Sequence, residues 1–200
     1  MTKQVDFYFD FSSPYGYLAA QTVDDLAERH GADLRWRPIL LGAVFKKTGA
    51  APLVDLPLKG DYARRDMARC ARRLGVTFTF PETFPFSSVA ASRAFYWLHE
   101  RDPAQARALA KALYHAVFGE GRSIEAPEEV AAVAGELGLD PSSVKAALED
   151  PEVKTRLRQE VEAAVAAGVF GSPFFIVDGE PFWGHDRMDE VERWLRTGGW

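Results

Sequence analysis

The sequence predicts an α/β chain in which a β-α-β unit at the start and a β-β-α unit at the end frame a long helical insertion. Three observations lead there. Val5, Phe7, Phe9 and Phe11 alternate with Asp6, Tyr8 and Asp10 just ahead of a serine-proline helix start, the period-2 signal of a strand feeding a helix. From about residue 40 to 168 the apolar spacing turns helical, punctuated by Asp-Pro and Ala-Pro steps. Then Phe174-Phe175-Ile176-Val177, Asp178-Gly179 and Pro181-Phe182-Trp183 read as two short strands joined by a tight turn.

Taken in order, the first strand runs from Val5 to Phe11. A helix from Pro14 to about Arg29 stops at His30-Gly31, and a second strand covers Leu34 to Ile39. Such a unit pairs its strands in parallel with a right-handed crossover. Residues 47–60, rich in proline and glycine, read as an extended loop. Helices are expected over 61–74, 88–101, 103–118, 127–138, 141–149 and 151–167, with Asp102-Pro103, Ala126-Pro127, Asp140-Pro141 and Asp150-Pro151 marking starts. Phe95, Tyr96, Trp97, Tyr114 and Phe118 belong to the core of that bundle, because helical faces bury large side chains first. A last helix spans Arg187 to about Leu195. This order is a thioredoxin fold, with residues 1–39 and 169–200 as the thioredoxin-like domain and 40–168 as an inserted α-helical domain with its connecting loop. Two lobes of this kind make a cleft where ligands bind.

The formal charge of −5 and pI near 5.4 argue against a nucleic-acid partner, which needs a basic face. The basic stretch from Arg64-Arg65 to Arg72-Arg73 is interleaved with Asp61 and Asp66 and reads mostly as a solvated helix face. No leader-like segment or bilayer-length apolar run is present, so a cytoplasmic protein without a membrane partner is expected. Cys70 has no partner for an internal disulfide and reads as a packed small hydrophobe. His30, His99, His115 and His185 show no ligand spacing, and no metal is expected.

Chemistry concentrates at the two ends. Serine at an N-cap followed by proline at the first helical position is a favoured helix start. It reads equally as a plain cap or as a site, since the same geometry with cysteine activates the thiol of thioredoxin-like redox enzymes. Here Ser13-Pro14-Tyr15-Gly16 stands where those enzymes carry C-P-Y-C. Both sulfurs are absent, which excludes dithiol–disulfide chemistry. At the other end, Gly171-Ser172-Pro173 opens an apolar strand. Pro173 suits a cis bond, although an ordinary trans proline is the more frequent state of an X-Pro step. In thioredoxin-like proteins that position faces the active helix start, so the two ends read as halves of one site.

Five separated segments carry a resemblance: Asp10-Phe11-Ser12-Ser13-Pro14-Tyr15, Lys46-Lys47-Thr48-Gly49, Leu56 to Tyr62, Val169 to Pro173, and Trp183 to Met188. Along nearly its whole length the chain resembles the 2-hydroxychromene-2-carboxylate isomerases. These are relatives of the kappa-class glutathione transferases within the DsbA-like thioredoxin superfamily.

The resemblance implies a glutathione-dependent isomerase of aromatic-compound catabolism that forms trans-o-hydroxybenzylidenepyruvate by reversible thiolate addition. It implies that Ser13 is catalytic and holds the glutathione sulfur, that the Ser172 backbone before Pro173 pairs with the cysteinyl backbone, that His185 and Asp186 lie at the γ-glutamyl end, and that Pro173 and Trp183 also bind the cofactor. Lys59 is implied near the glycyl carboxylate, and Tyr15, Lys46, Ala50 and Phe84 near a small aromatic carboxylate substrate. Asp186 reads equally as an N-cap of the final helix. Ala50 and His185 depart from the family pattern, which often has asparagine at the first position and asparagine or serine at the second. A homodimer is a further expectation. The alternatives are a kappa-like transferase or peroxidase that consumes glutathione, and a binding module that kept the scaffold after losing both sulfurs.

Overall fold

In a computed structural model that describes residues 2–200, β1 (Gln4–Phe9) is an inner strand of a four-stranded sheet. Met1, the first residue of the expected thioredoxin-like part, lies outside the described residues. β2 (Asp33–Pro38) pairs with β1 in parallel, Gln4 opposite Asp33 and Phe9 opposite Pro38. β3 (Phe174–Val177) pairs antiparallel on the other side of β1, and β4 (Glu180–Trp183) extends the sheet beyond it. The strand order is β2-β1-β3-β4. Asp178 and Gly179 both take positive φ between β3 and β4, the conformation a two-residue hairpin turn requires.

Both faces of β1 are buried, and they do different things. Phe7 stacks between Phe9 at 5.2 Å and Phe175 at 5.3 Å, with Trp36 edge-on at 5.0 Å. On the opposite face Tyr8 packs with Ile39, Val44, Val169 and Phe174. Asp6, which interrupts the apolar pattern, accepts from Arg37 Nε at 2.6 Å, and Arg37 also reaches Glu160 at 3.1 Å. A buried carboxylate is tolerable only when paired in this way.

Ten α-helices complete the described residues. The segment expected as one helix over 14–29 forms two, α1 (Pro14–Ala20) and α2 (Val23–Arg29). At Gln21 and Thr22 the amides bond three residues back, to Leu18 O and Ala19 O, and Thr22 departs from helical φ/ψ to begin α2. α3 (Leu41–Thr48), closed by Gly49 at φ 74°, occupies residues from which no separate helix was expected. The 47–60 stretch is therefore not wholly extended: it holds the end of α3 and a 3-10 turn over Leu53–Asp55, and α4 (Lys59–Leu74) begins inside it.

α5 (Val89–His99), α6 (Pro103–Phe118), α7 (Pro127–Glu136), α8 (Pro141–Glu149) and α9 (Pro151–Ala166) follow the expected segments. Asp102, Asp140 and Asp150 cap α6, α8 and α9 through their carboxylates, with proline at the first helical position each time. At α7 alanine cannot cap, and Glu129 reaches back to the Ala126 amide at 2.7 Å instead. After a 3-10 turn over His185–Arg187, α10 (Met188–Thr197) closes the chain.

Phe95 and Tyr114 lie 6.0 and 5.7 Å from Phe9. One apolar core thus runs from the sheet into the helical segment. Phe95, Tyr96, Tyr114 and Phe118 are buried in it, while Trp97 is half-buried at its margin.

Candidate functional site

Ser13 caps α1 in an extended conformation, φ −94° and ψ 111°. Its Oγ accepts from the Gly16 amide at 3.0 Å and donates to the Ser172 carbonyl at 3.0 Å. The Ser172–Pro173 peptide is cis. Ser172 Oγ accepts from the Asp10 amide at 2.9 Å, and the Asp10 carbonyl accepts from the Ser13 amide and from the Tyr114 hydroxyl, each at 2.8 Å. The two ends of the chain are therefore sewn together around Asp10.

The Asp10 carboxylate lies beneath this junction. It accepts from the Ser12 amide at 2.7 Å, Ser12 Oγ at 2.8 Å and the first amide of α3, Leu41, at 2.6 Å. Burial pushes its carboxyl upward, opposed by these bonds and by Ser88. Its place in the site escaped the sequence reading because a buried aspartate and an outward strand aspartate look alike in an alternating segment.

Gly16 occupies the position of the second cysteine in a dithiol motif. A Cβ built there falls inside contact distance of the Tyr114 hydroxyl, 3.0 Å from Ser172 Oγ and 3.2 Å from Ser13 Cβ. Real side-chain carbons almost never approach that closely. The hydroxyl that ties α6 to Asp10 therefore holds this position open only to glycine.

A cleft of about 1820 Å³ opens over Ser13. Lined by the start of α1, α3, α4, residues 84–89, 170–173 and 183–187, it contains every expected site residue: Ser13, Tyr15, Lys46, Ala50, Lys59, Phe84, Ser172, Pro173, Trp183, His185 and Asp186. Phe84 lies in an aromatic group, 4.9 Å from Phe80 and 6.3 Å from Phe86. Trp183, half-exposed, lies edge-on to Phe170 at 4.9 Å, over a Gly171 that leaves no room for a side chain. Lys46, Lys59 and Ala50 are exposed along the rim.

Beyond Ser13 the wall is polar. The Tyr15 hydroxyl donates to Asp66 Oδ2 at 2.8 Å, and its ring stacks on His185 at 5.1 Å. Burial first, then the neighbouring Asp66, raise the Tyr15 phenol far above its ordinary value, so it remains a donor. Burial also pushes Asp66 upward, but the Arg69 and Tyr15 hydrogen bonds outweigh it and hold the carboxyl below the usual range. His185 is buried and its Nε2 lacks a partner among the described residues. Desolvation lowers its pKa, against the pull of Asp186 and Asp66 and assisted by Arg73, which favours the neutral ring.

One expectation needs correction. Asp186 does not cap the final helix: α10 starts after Arg187, and the Asp186 carboxylate, 62% exposed, lies 3.6 Å from Arg187. Cys70 packs half-buried against the core, as expected, with its Sγ 3.8 Å from Asp66 in the cleft wall. The α4 arginines are exposed, as read from the sequence, and two of them, Arg69 and Arg73, also line the cleft. The missed residues Tyr62, Asp66, Arg69 and Arg73 share one signal, spacings of three and four that place them on a single stripe of α4. Among the described residues no three of His, Cys, Asp or Glu are placed to hold a metal, and no helix is long and apolar enough to cross a membrane.

The DSBA-like thioredoxin domain family matches residues 4–196. A 2-hydroxychromene-2-carboxylate isomerase of Sphingobium xenophagum is 34% identical, over 98% of this chain and 99% of its own. Human glutathione S-transferase kappa 1 is 26% identical, over 98% of this chain and 94% of its own. A solved 2-hydroxychromene-2-carboxylate isomerase superposes with a TM-score of 0.87 at 33% identity, covering 96% of this chain and 94% of that one.

Two outcomes follow from this geometry. Gly16→Ala should destabilise the fold by about 1–3 kcal/mol through overpacking, and Tyr114→Phe in the same chain should recover part of that loss. Urea denaturation of the single and double variants measures the coupling, and additive effects would show that the two groups do not collide.

The second outcome concerns pH. His185 has a lower pKa folded than unfolded, so the unfolded chain takes up the proton first, and stability is lost as pH falls through the unfolded value. The melting temperature should drop between about pH 7.5 and about pH 5.5, the range around an ordinary histidine pKa. His185→Asn should flatten part of that slope, with His99, shifted in the same direction, supplying the rest. An unchanged slope in the variant would remove His185 as its source.

Proposed function

This chain belongs to the DsbA-like thioredoxin family and, within it, to the 2-hydroxychromene-2-carboxylate isomerases, and from that premise we propose that glutathione is its cofactor and that Ser13 holds the reacting sulfur. It is an isomerase acting on 2-hydroxychromene-2-carboxylate. The observation that carries the proposal is the Ser13 hydroxyl at the head of α1, 3.0 Å from the carbonyl that precedes Pro173.

The groups around Ser13 suit a peptide thiolate. The Tyr15 and Ser172 amides, in half-buried residues, have no acceptor among the described residues, which leaves them free to donate to a ligand oxygen or anion. When bound, glutathione supplies a nucleophilic thiolate that adds reversibly to the conjugated double bond of the ring-opened substrate, leaving a single bond free to rotate. Ser13 would turn its O–H from the Ser172 carbonyl to the sulfur, exchanging a neutral hydrogen bond for a charge-assisted one roughly twice as strong. The Tyr15 amide would add a second donor at the positive end of α1. The Ser172 backbone would pair with the cysteinyl residue, Lys59 would face the glycyl carboxylate, and Asp186 would hold the γ-glutamyl amine.

The remaining groups position substrate. Phe84 and Phe86 present aromatic surface for a planar ring, Lys46 a cation for a carboxylate, and Tyr15 a fixed hydroxyl. Ala50 contributes no polar contact, so any hydrogen bond made there by an asparagine is missing. The relatedness to kappa glutathione transferases supports the cofactor. It also raises a second reading, in which the thiol leaves with the product.

Glutathione dependence is tested by assaying purified protein on 2-hydroxychromene-2-carboxylate with and without glutathione while titrating free thiol. Isomerisation should require glutathione and leave its concentration unchanged, and Ser13→Ala should turn over roughly 10²-fold more slowly, the usual cost of deleting one anion-stabilising donor. Equal rates without glutathione would end the cofactor assignment. Loss of one thiol per product would establish the transferase reading.

A further inference from the structure

Resting on the glutathione reading, we propose that Arg73 is the carboxylate clamp for the γ-glutamyl end of the cofactor and thereby sets the preference for a free α-amino acid at that end. Lys59, Tyr62, Asp66, Arg69 and Arg73 all line the cleft from one helix. They lie three or four residues apart, which puts them in one row along α4.

The middle of that row is fixed beside Ser13. Asp66 is hydrogen-bonded to the hydroxyl of Tyr15, two residues beyond Ser13. α4 therefore crosses the head of α1 near its own midpoint, with Lys59 at one end and Arg73 at the other. Their Cα atoms are about 21 Å apart at the helical rise. A tripeptide backbone reaches at most about 11 Å, and two extended basic side chains cover the difference. Glutathione carries its thiol on the central residue and a carboxylate at each terminus. A thiol site at the midpoint with a cation toward each end matches that charge order.

Arg73 is also the guanidinium with capacity to spare. Arg69 is bonded to Asp66 and lies over the Tyr62 ring at 5.7 Å, and Arg187 pairs with Asp186 and with Glu190 at 3.1 Å. Arg73 has no acidic partner among the described residues, although it is exposed beside a cleft wall that holds Asp66 and Asp186. A smaller cavity of about 250 Å³ adjoins the same place, lined by Arg73, His185 and Asp186. An α-amino acid head carries opposite charges on one carbon. Arg73 and Asp186, which line that cavity with His185, offer the complementary pair, and a guanidinium binds carboxylate through two parallel N–H donors.

Calorimetric titration of two ligands into three proteins tests this. The ligands are glutathione and its analogue lacking only the γ-glutamyl α-carboxylate, 4-aminobutyryl-cysteinyl-glycine. Wild type should bind glutathione roughly 10- to 100-fold more tightly than the analogue, the range for one charge-assisted contact. Arg73→Met should lose that factor for glutathione and bind both ligands alike, while Arg73→Lys should retain part of it. Urea midpoints of the variants confirm that an exposed substitution leaves the fold unchanged.

Wild-type affinity for glutathione in Arg73→Met, or a preference against the analogue that survives the substitution, would overturn the assignment while the cofactor reading stands. Binding of neither ligand to wild type would overturn both.

Discussion

The Asp10 peptide unit and its side chain form the junction on which the site depends. Its amide engages Ser172, its carbonyl collects Ser13 and Tyr114, and its carboxylate receives Ser12 and the first amide of α3. These bonds join the strand that opens the chain, the loop before its third strand, and two helices of the insertion. The Tyr114 bond is buried and the Ser172, Ser12 and Leu41 bonds are part-buried, so breaking the Tyr114 bond leaves an unpaired polar group at about 1–3 kcal/mol. The Ser13 hydroxyl and the Ser172 backbone are thereby held face to face.

The same junction decides which chemistry is closed. Tyr114 reaches Asp10 by passing over Gly16, and its hydroxyl fills the space a second cysteine would need. The position is thus closed to a second cysteine, which suits the proposed use of a sulfur brought from outside. Serine at position 13 fits that use, because it donates to a thiolate without being oxidised. The single cysteine of the chain, Cys70, stands elsewhere in the wall, its thiol pushed up by burial and by Asp66. That shift disfavours the thiolate a nucleophile needs.

Strong local signals made much of this legible in the sequence. Ser13-Pro14 and the three Asp-Pro helix starts are caps with a mechanism, and Asp178-Gly179 is a turn that only certain residues allow. Legibility failed where docking decides. Gln21 and Thr22 carry no breaker that separates α1 from α2, and α3 is short and ends in a glycine-alanine stretch that reads as loop. The α4 stripe was invisible for a different reason. Alternating Arg and Asp describe a solvated face equally well, and only the Tyr15–Asp66 bond reveals which side of α4 turns inward. Asp186 was read as a cap because a 3-10 turn and an α-helix share their first residues in sequence.

The claim at the centre is that the head of α1 and Ser13 hold a thiolate supplied by glutathione. Its most direct test is an ultraviolet titration of the bound thiol in wild type and in Ser13→Ala. The wild-type complex should ionise clearly below the ordinary thiol value of about 8.5, with the variant shifted back toward it. A bound thiol that titrates at the ordinary value in both proteins would contradict the account.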